Sequence, residues 1–239
     1  MANFRLTRRQ YLKIGLTAGL GARFAAPALV FSPPEVAAQT TGFQLPFDAA
    51  PGPATWYLRQ WYGNTRWAYR QRRALYSQGQ GFHFGVDFWA PCGTPVVAIG
   101  DGTVVAVDGP YGAAPHNLLI RHSNGWVSLY GHLLTRSSLR AGQSVRQGQV
   151  VAETGAPSGS DCDTHPHLHL EIRDSSLGRA TNPVNLIQAD WYNLTLGVDS
   201  EGLQFQLDLN QPDRWQTITD QPDVRFGAVL YNDYARTAP

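Results

Sequence analysis

Phe82-His83-Phe84-Gly85-Val86-Asp87-Phe88 and His167-Leu168-His169-Leu170-Glu171 are the two stretches on which the fold turns. In an extended chain successive side chains point to opposite faces, so His83, Gly85 and Asp87 share one face of the first stretch, and Phe82, Phe84, Val86 and Phe88 share the other. The apolar face packs, and on the polar face a glycine keeps the space between two side chains clear. The same alternation in the second stretch gathers His167, His169 and Glu171 and buries Leu168 and Leu170. An imidazole, a carboxylate and a second imidazole are a common zinc ligand set, and three protein ligands leave a fourth position for water. An isolated histidine is more often a surface or hydrogen-bonded core residue than a ligand. Two paired motifs on separate strands, with the lone His132 of Tyr130-Gly131-His132-Leu133, are hard to ascribe to coincidence.

Around these stretches the pattern is short β runs divided by turn pairs. Residues 96–99 and 103–107 flank Gly100-Asp101-Gly102, and residues 118–121 and 126–130 flank Asn124-Gly125, which predicts two hairpins. Residues 82–88, 145–152 and 168–173 are further strand candidates. The expected fold is all-β: a compact antiparallel β-sheet, sandwich-like or barrel-like, with a short helical N-terminal arm and a small C-terminal extension. The arm, residues 39–80, interleaves Trp56, Tyr57, Trp61, Tyr62, Trp67 and Tyr69 with Arg59, Arg66, Arg70, Arg72 and Arg73. Asn64-Thr65 caps a predicted helix over about residues 66–76. This segment reads either as the wall of a groove, stacking on sugars or pairing with carboxylates, or as an arm packing its aromatics on the core. Past residue 187, residues 203–209 alternate as a strand, and Trp191, Trp215 and Tyr231 are candidate anchors for the tail.

Composition narrows the function. All seven histidines of the 239 residues lie between His83 and His169, and the net charge of +1 gives no reason to expect nucleic acid as a partner. Thr7-Arg8-Arg9-Gln10-Tyr11-Leu12-Lys13 resembles the twin-arginine export motif, a weakly apolar run follows, and Val36-Ala37-Ala38 offers a small-residue cleavage site. Residues 1–38 are therefore expected to be a signal peptide, with the protein exported to the cell envelope or beyond it and not inserted in a membrane afterwards. Its removal leaves 14 basic and 17 acidic residues, a net charge of −3, and no lysine, since Lys13 is the only one. Lysine-borne Schiff-base, lipoyl or biotinyl chemistry is thereby excluded. In an exported protein, Cys92 and Cys162 read first as one disulfide, with two buried thiols or metal ligands as alternatives.

His83-Phe84-Gly85-Val86-Asp87, Ala90-Pro91-Cys92-Gly93-Thr94-Pro95-Val96, Asp101-Gly102-Thr103-Val104, Tyr130-Gly131-His132-Leu133 and His167-Leu168-His169-Leu170-Glu171, in this order, resemble the lysostaphin-type peptidoglycan metalloendopeptidases. The resemblance covers residues 81–187, the expected metallopeptidase domain, with 188–239 as C-terminal extension. It implies one zinc ion held by His83, Asp87 and His169, with His132 and His167 as the catalytic pair. It further implies hydrolysis of peptide bonds in peptidoglycan stem peptides or cross-bridges, by a chain expected to be monomeric. Members that serve as non-catalytic wall-binding or amidase-activating modules form the alternative. They typically lack zinc ligands, and this chain keeps all three. Residues 141–150 resemble the repeats of lipoyl and biotinyl carriers, a reading the missing lysine removes. The loop Ser158-Gly159-Ser160-Asp161-Cys162-Asp163-Thr164-His165-Pro166 departs from the family pattern in its acidity, its cysteine and its extra histidine, and His165 is expected at the rim. Cys92 follows Asp87 by five residues and Cys162 precedes His167 by five, so antiparallel neighbouring strands would bring the cysteines together as a disulfide. His122 is expected to be structural and His116 a loop residue.

Overall fold

A computed structural model of the chain describes residues 42–77, 81–157, 162, 165–195 and 217–226. The signal at 1–38, the strand at 203–209 and the anchors Trp215 and Tyr231 lie outside the described residues. The elements run β1 (Tyr57–Gln60), α1 (Arg66–Arg70), β2 (Val86–Trp89), β3 (Pro95–Val97), β4 (Gly102–Val107), β5 (Leu118–His122), β6 (Val127–Gly131), β7 (Ser144–Val145), β8 (Val150–Glu153), β9 (His167–Arg173), β10 (Arg179–Thr181) and β11 (Val224–Arg225). The large sheet has the order β1-β2-β9-β6-β5-β4-β7, with β10 and β11 beside the far end of β9, and β3 and β8 form a separate pair. These strand pairings are antiparallel. No helix among the described residues is long and apolar enough to cross a membrane.

The second predicted hairpin forms as β5 and β6, with Leu118 opposite Tyr130. The first does not: β3 pairs with β8, Val96 opposite Ala152, while β4 pairs with β5 and β7. Gly100-Asp101-Gly102 instead carry the chain from the small sheet into the large one. A Cβ on Gly102 would lie 2.5 Å from the carbonyl oxygen of Arg121, so this glycine permits a close strand approach. The predicted strand at 145–152 splits into β7 and β8, in different sheets. The helix predicted over residues 66–76 is helical only as α1, residues 71–77 being turns, and α1 is capped by the Thr65 hydroxyl, which accepts from the Ala68 N–H at 3.1 Å.

β9 sits between β2 and β6, and all seven of its residues are buried. Leu168, Leu170 and Ile172 enter the main core, which also takes Trp56, Leu58, Trp61 and Tyr62 from before residue 81 and Val184, Ile187, Trp191, Leu194, Ile218 and Val224 from after residue 183. The two flanks therefore share the core of the central segment. The other face of β9 carries His167, His169, Glu171 and Arg173, four polar side chains that must find partners inside the protein.

Cys92 and Cys162 are joined as a disulfide with a Cα–Cα distance of 5.9 Å. Equal spacing from Asp87 and His167 implies those two residues face each other. The observed register sets Asp87 opposite His169 and Trp89 opposite His167, two residues away. The bond accordingly lies past the end of the ladder, between the segment that leaves β2 and the one that enters β9.

Candidate metal centre

The β2–β9 register places Asp87 and His169 side by side, with Asp87 Oδ1 2.7 Å from His169 Nδ1. His83 precedes β2 rather than lying within it. It is held by an isolated bridge to Gly63, whose N–H and C=O bond its backbone at 2.9 Å each. From there His83 Nε2 reaches to 3.1 Å from Asp87 Oδ1 and 3.2 Å from His169 Nδ1. Gly85 does not serve to clear space between ligands, as its parity suggests. A Cβ there would sit 2.4 Å from the Leu170 carbonyl oxygen, so the glycine lets the chain approach β9.

The outer nitrogens of the two imidazoles are committed. His83 Nδ1 donates to the Trp61 carbonyl oxygen at 2.7 Å, and His169 Nε2 donates to Glu171 Oε1 at 3.0 Å. In these tautomers His83 Nε2 and His169 Nδ1 carry lone pairs, which converge with Asp87 Oδ1. Three acceptors separated by 2.7–3.2 Å call for positive charge between them. The donor set fits a zinc-type cation: with bonds of about 2.0–2.2 Å, tetrahedral ligand atoms lie roughly 3.3 Å apart. The same demand is visible in the acid–base balance. Although burial opposes it, the Asp87 and Glu171 carboxylates that accept from its ring raise His169 to about 9. Burial also opposes ionisation of Asp87, yet the imidazoles of His83, His167 and His169 crowded around it hold that carboxyl well below the usual range. Behind His169, Glu171 Oε2 accepts from Arg173 Nε at 2.7 Å, and Arg173 Nη2 donates to the Tyr111 carbonyl oxygen at 2.7 Å.

His132 directly follows β6, whose Gly131 stands opposite His169. Its ring centroid is 4.8 Å from that of His167 and 5.7 Å from that of His169. His132 has φ +56°, a conformation rare for a residue with a side chain. It is fixed there by its N–H on the Ala113 carbonyl and its Nδ1 on the Ala114 carbonyl. His167 Nδ1 likewise donates to the His165 carbonyl at 2.7 Å. Each imidazole thus presents Nε2 to the cleft as an acceptor. Burial, with His167 and His169 adding, lowers His132 to about 3, and burial also lowers His167. The structure brings all five predicted site residues to one cleft of about 320 Å³, with His165 at its edge. His122 lies apart, its Nδ1 on the Asp101 carbonyl and its Nε2 on Ser128 Oγ, each at 2.8 Å. His116 pairs with Asp108 at 3.0 Å.

Residues 81–185 match the model of Peptidase family M23. That segment is similar to the M23 peptidases. The chain is 39% identical over 104 residues to an uncharacterized metalloprotease of Haemophilus influenzae, a match covering 44% of this chain and 21% of the other. It is 41% identical over 104 residues to the DD-carboxypeptidase/endopeptidase Mpg of Neisseria meningitidis, covering 44% and 22%. It is 38% identical over 108 residues to the peptidoglycan DD-endopeptidase ShyC of Vibrio cholerae, covering 45% and 24%. The chain matches less than a quarter of the length of these curated relatives.

Not everything that shapes the site belongs to the segment that matches the M23 model. Trp61, whose carbonyl sets the His83 tautomer, lies before it, as do Gln60, Trp67, Leu75 and Tyr76 on one wall of the cleft. The Tyr76 ring stands edge-on to His83, with centroids 5.9 Å apart. No side-chain pattern marks a backbone carbonyl such as that of Trp61 as a partner. Glu171, by contrast, is visible in the alternation of β9, although its hydrogen bond to His169 is not.

Proposed function

We propose that the chain is a zinc metalloendopeptidase that hydrolyses peptide bonds in bacterial peptidoglycan stem peptides or cross-bridges. It carries one zinc ion on His83, Asp87 and His169, and it works as a monomer in the cell envelope or outside it. The observation that carries this reading is the convergence of His83 Nε2, Asp87 and His169 Nδ1, with the imidazoles of His132 and His167 lining the same cleft. Identity over the same segment to a peptidoglycan DD-endopeptidase supports the substrate class.

A zinc ion held there supplies Lewis acidity toward a water and toward the scissile carbonyl. His132 and His167 handle the proton. Burial keeps both imidazoles neutral, so Nε2 of either accepts a proton from the attacking water. Once protonated, the same Nε2–H donates to the developing oxyanion or to the departing amine. Which of the two takes each role follows from the substrate's approach. The carbonyls of Ala114 and His165 keep the rings from turning during the transfer.

Purified muropeptides digested with the chain and separated by mass test the reading, alongside His83→Ala and His132→Ala. His83→Ala is expected to lose both zinc and hydrolysis. His132→Ala is expected to keep zinc and lose hydrolysis. Unaltered protein that binds zinc and cleaves no cross-linked wall would overturn the endopeptidase in favour of a wall-binding module.

A further inference from the structure

Three carbonyls that steady the chain just past β6 come from one loop, residues 108–117, between β4 and β5. Ala113 accepts from the His132 N–H at 2.9 Å, Ala114 from His132 Nδ1, and His116 from the Leu133 N–H at 3.2 Å. A fourth, on Tyr111, accepts from Arg173 Nη2 at 2.7 Å, and Arg173 leads through Glu171 to His169. Gly131 lets the loop close on the strand, since a Cβ there would meet the Ala113 Cβ at 2.2 Å. Within the loop Gly112 has φ +91° and Ala113 φ +50°. A residue with a side chain stays in that region only where its surroundings hold it there.

Asn117 supplies that hold. Its buried side-chain Nδ2 donates to the Gly109 carbonyl at 3.0 Å and to the Gly112 carbonyl at 2.9 Å, which ties both ends of the segment presenting Tyr111 and fixes the residue before Ala113. Its backbone closes the base of the loop: the Asp108 N–H donates to the Asn117 carbonyl at 2.9 Å, and the Asn117 N–H donates to Asp108 Oδ1 at 3.2 Å. Asp108 Oδ2 in turn takes His116 Nδ1 at 3.0 Å and Arg136 Nε at 3.3 Å. Asn117 Oδ1, by contrast, is buried and meets no donor among the described residues. An unmet buried acceptor costs stability, so what this amide contributes is its pair of donors. Asn117 stands outside the cleft lining and reaches His132 only through the loop.

We propose that Asn117 is a positioning residue for His132: its two N–H donors set the loop so that the Ala113 and Ala114 carbonyls hold the imidazole with Nδ1 protonated and Nε2 open to the cleft. The catalytic consequence rests on the endopeptidase reading of the cleft, whereas the orientation of the ring is a property of the folded chain.

Asn117→Asp keeps the shape of the side chain and turns a carboxylate oxygen toward the two carbonyls in place of the donors. Asn117→Ser, too short to reach either carbonyl, carries the test if the aspartate variant does not melt cooperatively. Two readouts are taken on the zinc-loaded full chain. The first is hydrolysis of cross-linked muropeptides, where kcat should fall about 10–100-fold while KM stays within about twofold, the mark of a misplaced catalytic group. Val145→Ala, a core change in β7 at the far edge of the sheet, should lower the thermal midpoint and leave kcat alone. The second is heteronuclear NMR of the histidine rings, with the His132 signals assigned by their loss in His132→Ala. In the unaltered chain they should show one tautomer, protonated at Nδ1, and in either Asn117 variant they should move toward the average of both. Unchanged ring signals in a folded Asn117 variant overturn the proposal, as does a loss of kcat no larger than that of Val145→Ala. An unaltered chain that cleaves nothing sinks the endopeptidase reading, while the ring signals still decide the positioning.

Discussion

Glu171 is buried with one carboxylate oxygen on His169 Nε2 and the other on Arg173 Nε. It therefore fixes which nitrogen of His169 faces Asp87. Second-layer carboxylates of this kind typically contribute about 10–100-fold to metal affinity. Glu171→Gln is expected to weaken zinc binding by about that factor, measured by competition with a chromophoric chelator. Unchanged affinity would show that His169 is held without it. Gly85 makes a different demand. A Cβ 2.4 Å from the Leu170 carbonyl meets backbone rather than a side chain that could swing away, so the strands must part. Gly85→Ala is expected to cost about 1–3 kcal/mol or more in denaturant unfolding, and to weaken zinc binding because Asp87 lies two residues on. At this scale the alternation of residues 167–171 was a sound guide to the strand's faces, since β9 is regular and His167 and His169 on its polar face line the cleft. It misjudged Gly85, because what a glycine touches depends on a strand more than eighty residues away.

Among the elements, β2, β9 and the end of β6 lie adjacent in the sheet, and each contributes to one cleft: Asp87, the pair His167 and His169, and His132. The alternating runs were legible in the sequence. Their partners were less so, because period-two patterning says which face a strand buries and not which edge it joins. Hence residues 103–107 pair with β5 and β7 rather than with residues 96–99, and nothing in Tyr57-Leu58-Arg59-Gln60 announces a bulge. The disulfide ties the segments just beyond the β2–β9 ladder across a sequence separation of 70. Replacing both cysteines by serine is expected to lower unfolding stability by about 2–4 kcal/mol. The ladder itself holds Asp87 opposite His169, so zinc stoichiometry should stay at one per chain in the same variant. Loss of zinc would mean that the bridge, and not the ladder, sets the site. Two thiols alkylated in the unreduced native protein would remove the bond itself.

For the whole molecule, a cation at the three converging acceptors stabilises the folded chain, because the unfolded chain does not gather His83, Asp87 and His169. Chelation is therefore expected to lower the thermal midpoint and abolish hydrolysis, with both restored by zinc. A midpoint indifferent to zinc would argue against a metal bound in the native state. The larger question is what constitutes the folding unit. The sequence suggested an arm, a domain and an extension, since the motifs stop near residue 187 and the flanks carry none of them. The core does not respect those limits. Trp56, Leu58, Trp61 and Tyr62 from one side and Val184, Ile187, Trp191, Leu194 and Val224 from the other share one apolar cluster with Phe88, Leu168 and Leu170. β1 also covers the free edge of β2, beside Asp87. A chain cut to residues 81–185 would expose that edge, lose the Trp61 carbonyl that orients His83, and open the core on two sides. It is expected to show no cooperative thermal transition and to bind zinc poorly, whereas residues 40–226 should do both as well as the full chain. Calorimetry and zinc titration of the two fragments decide the matter: a cooperative transition in the shorter one would make the flanks appendages after all.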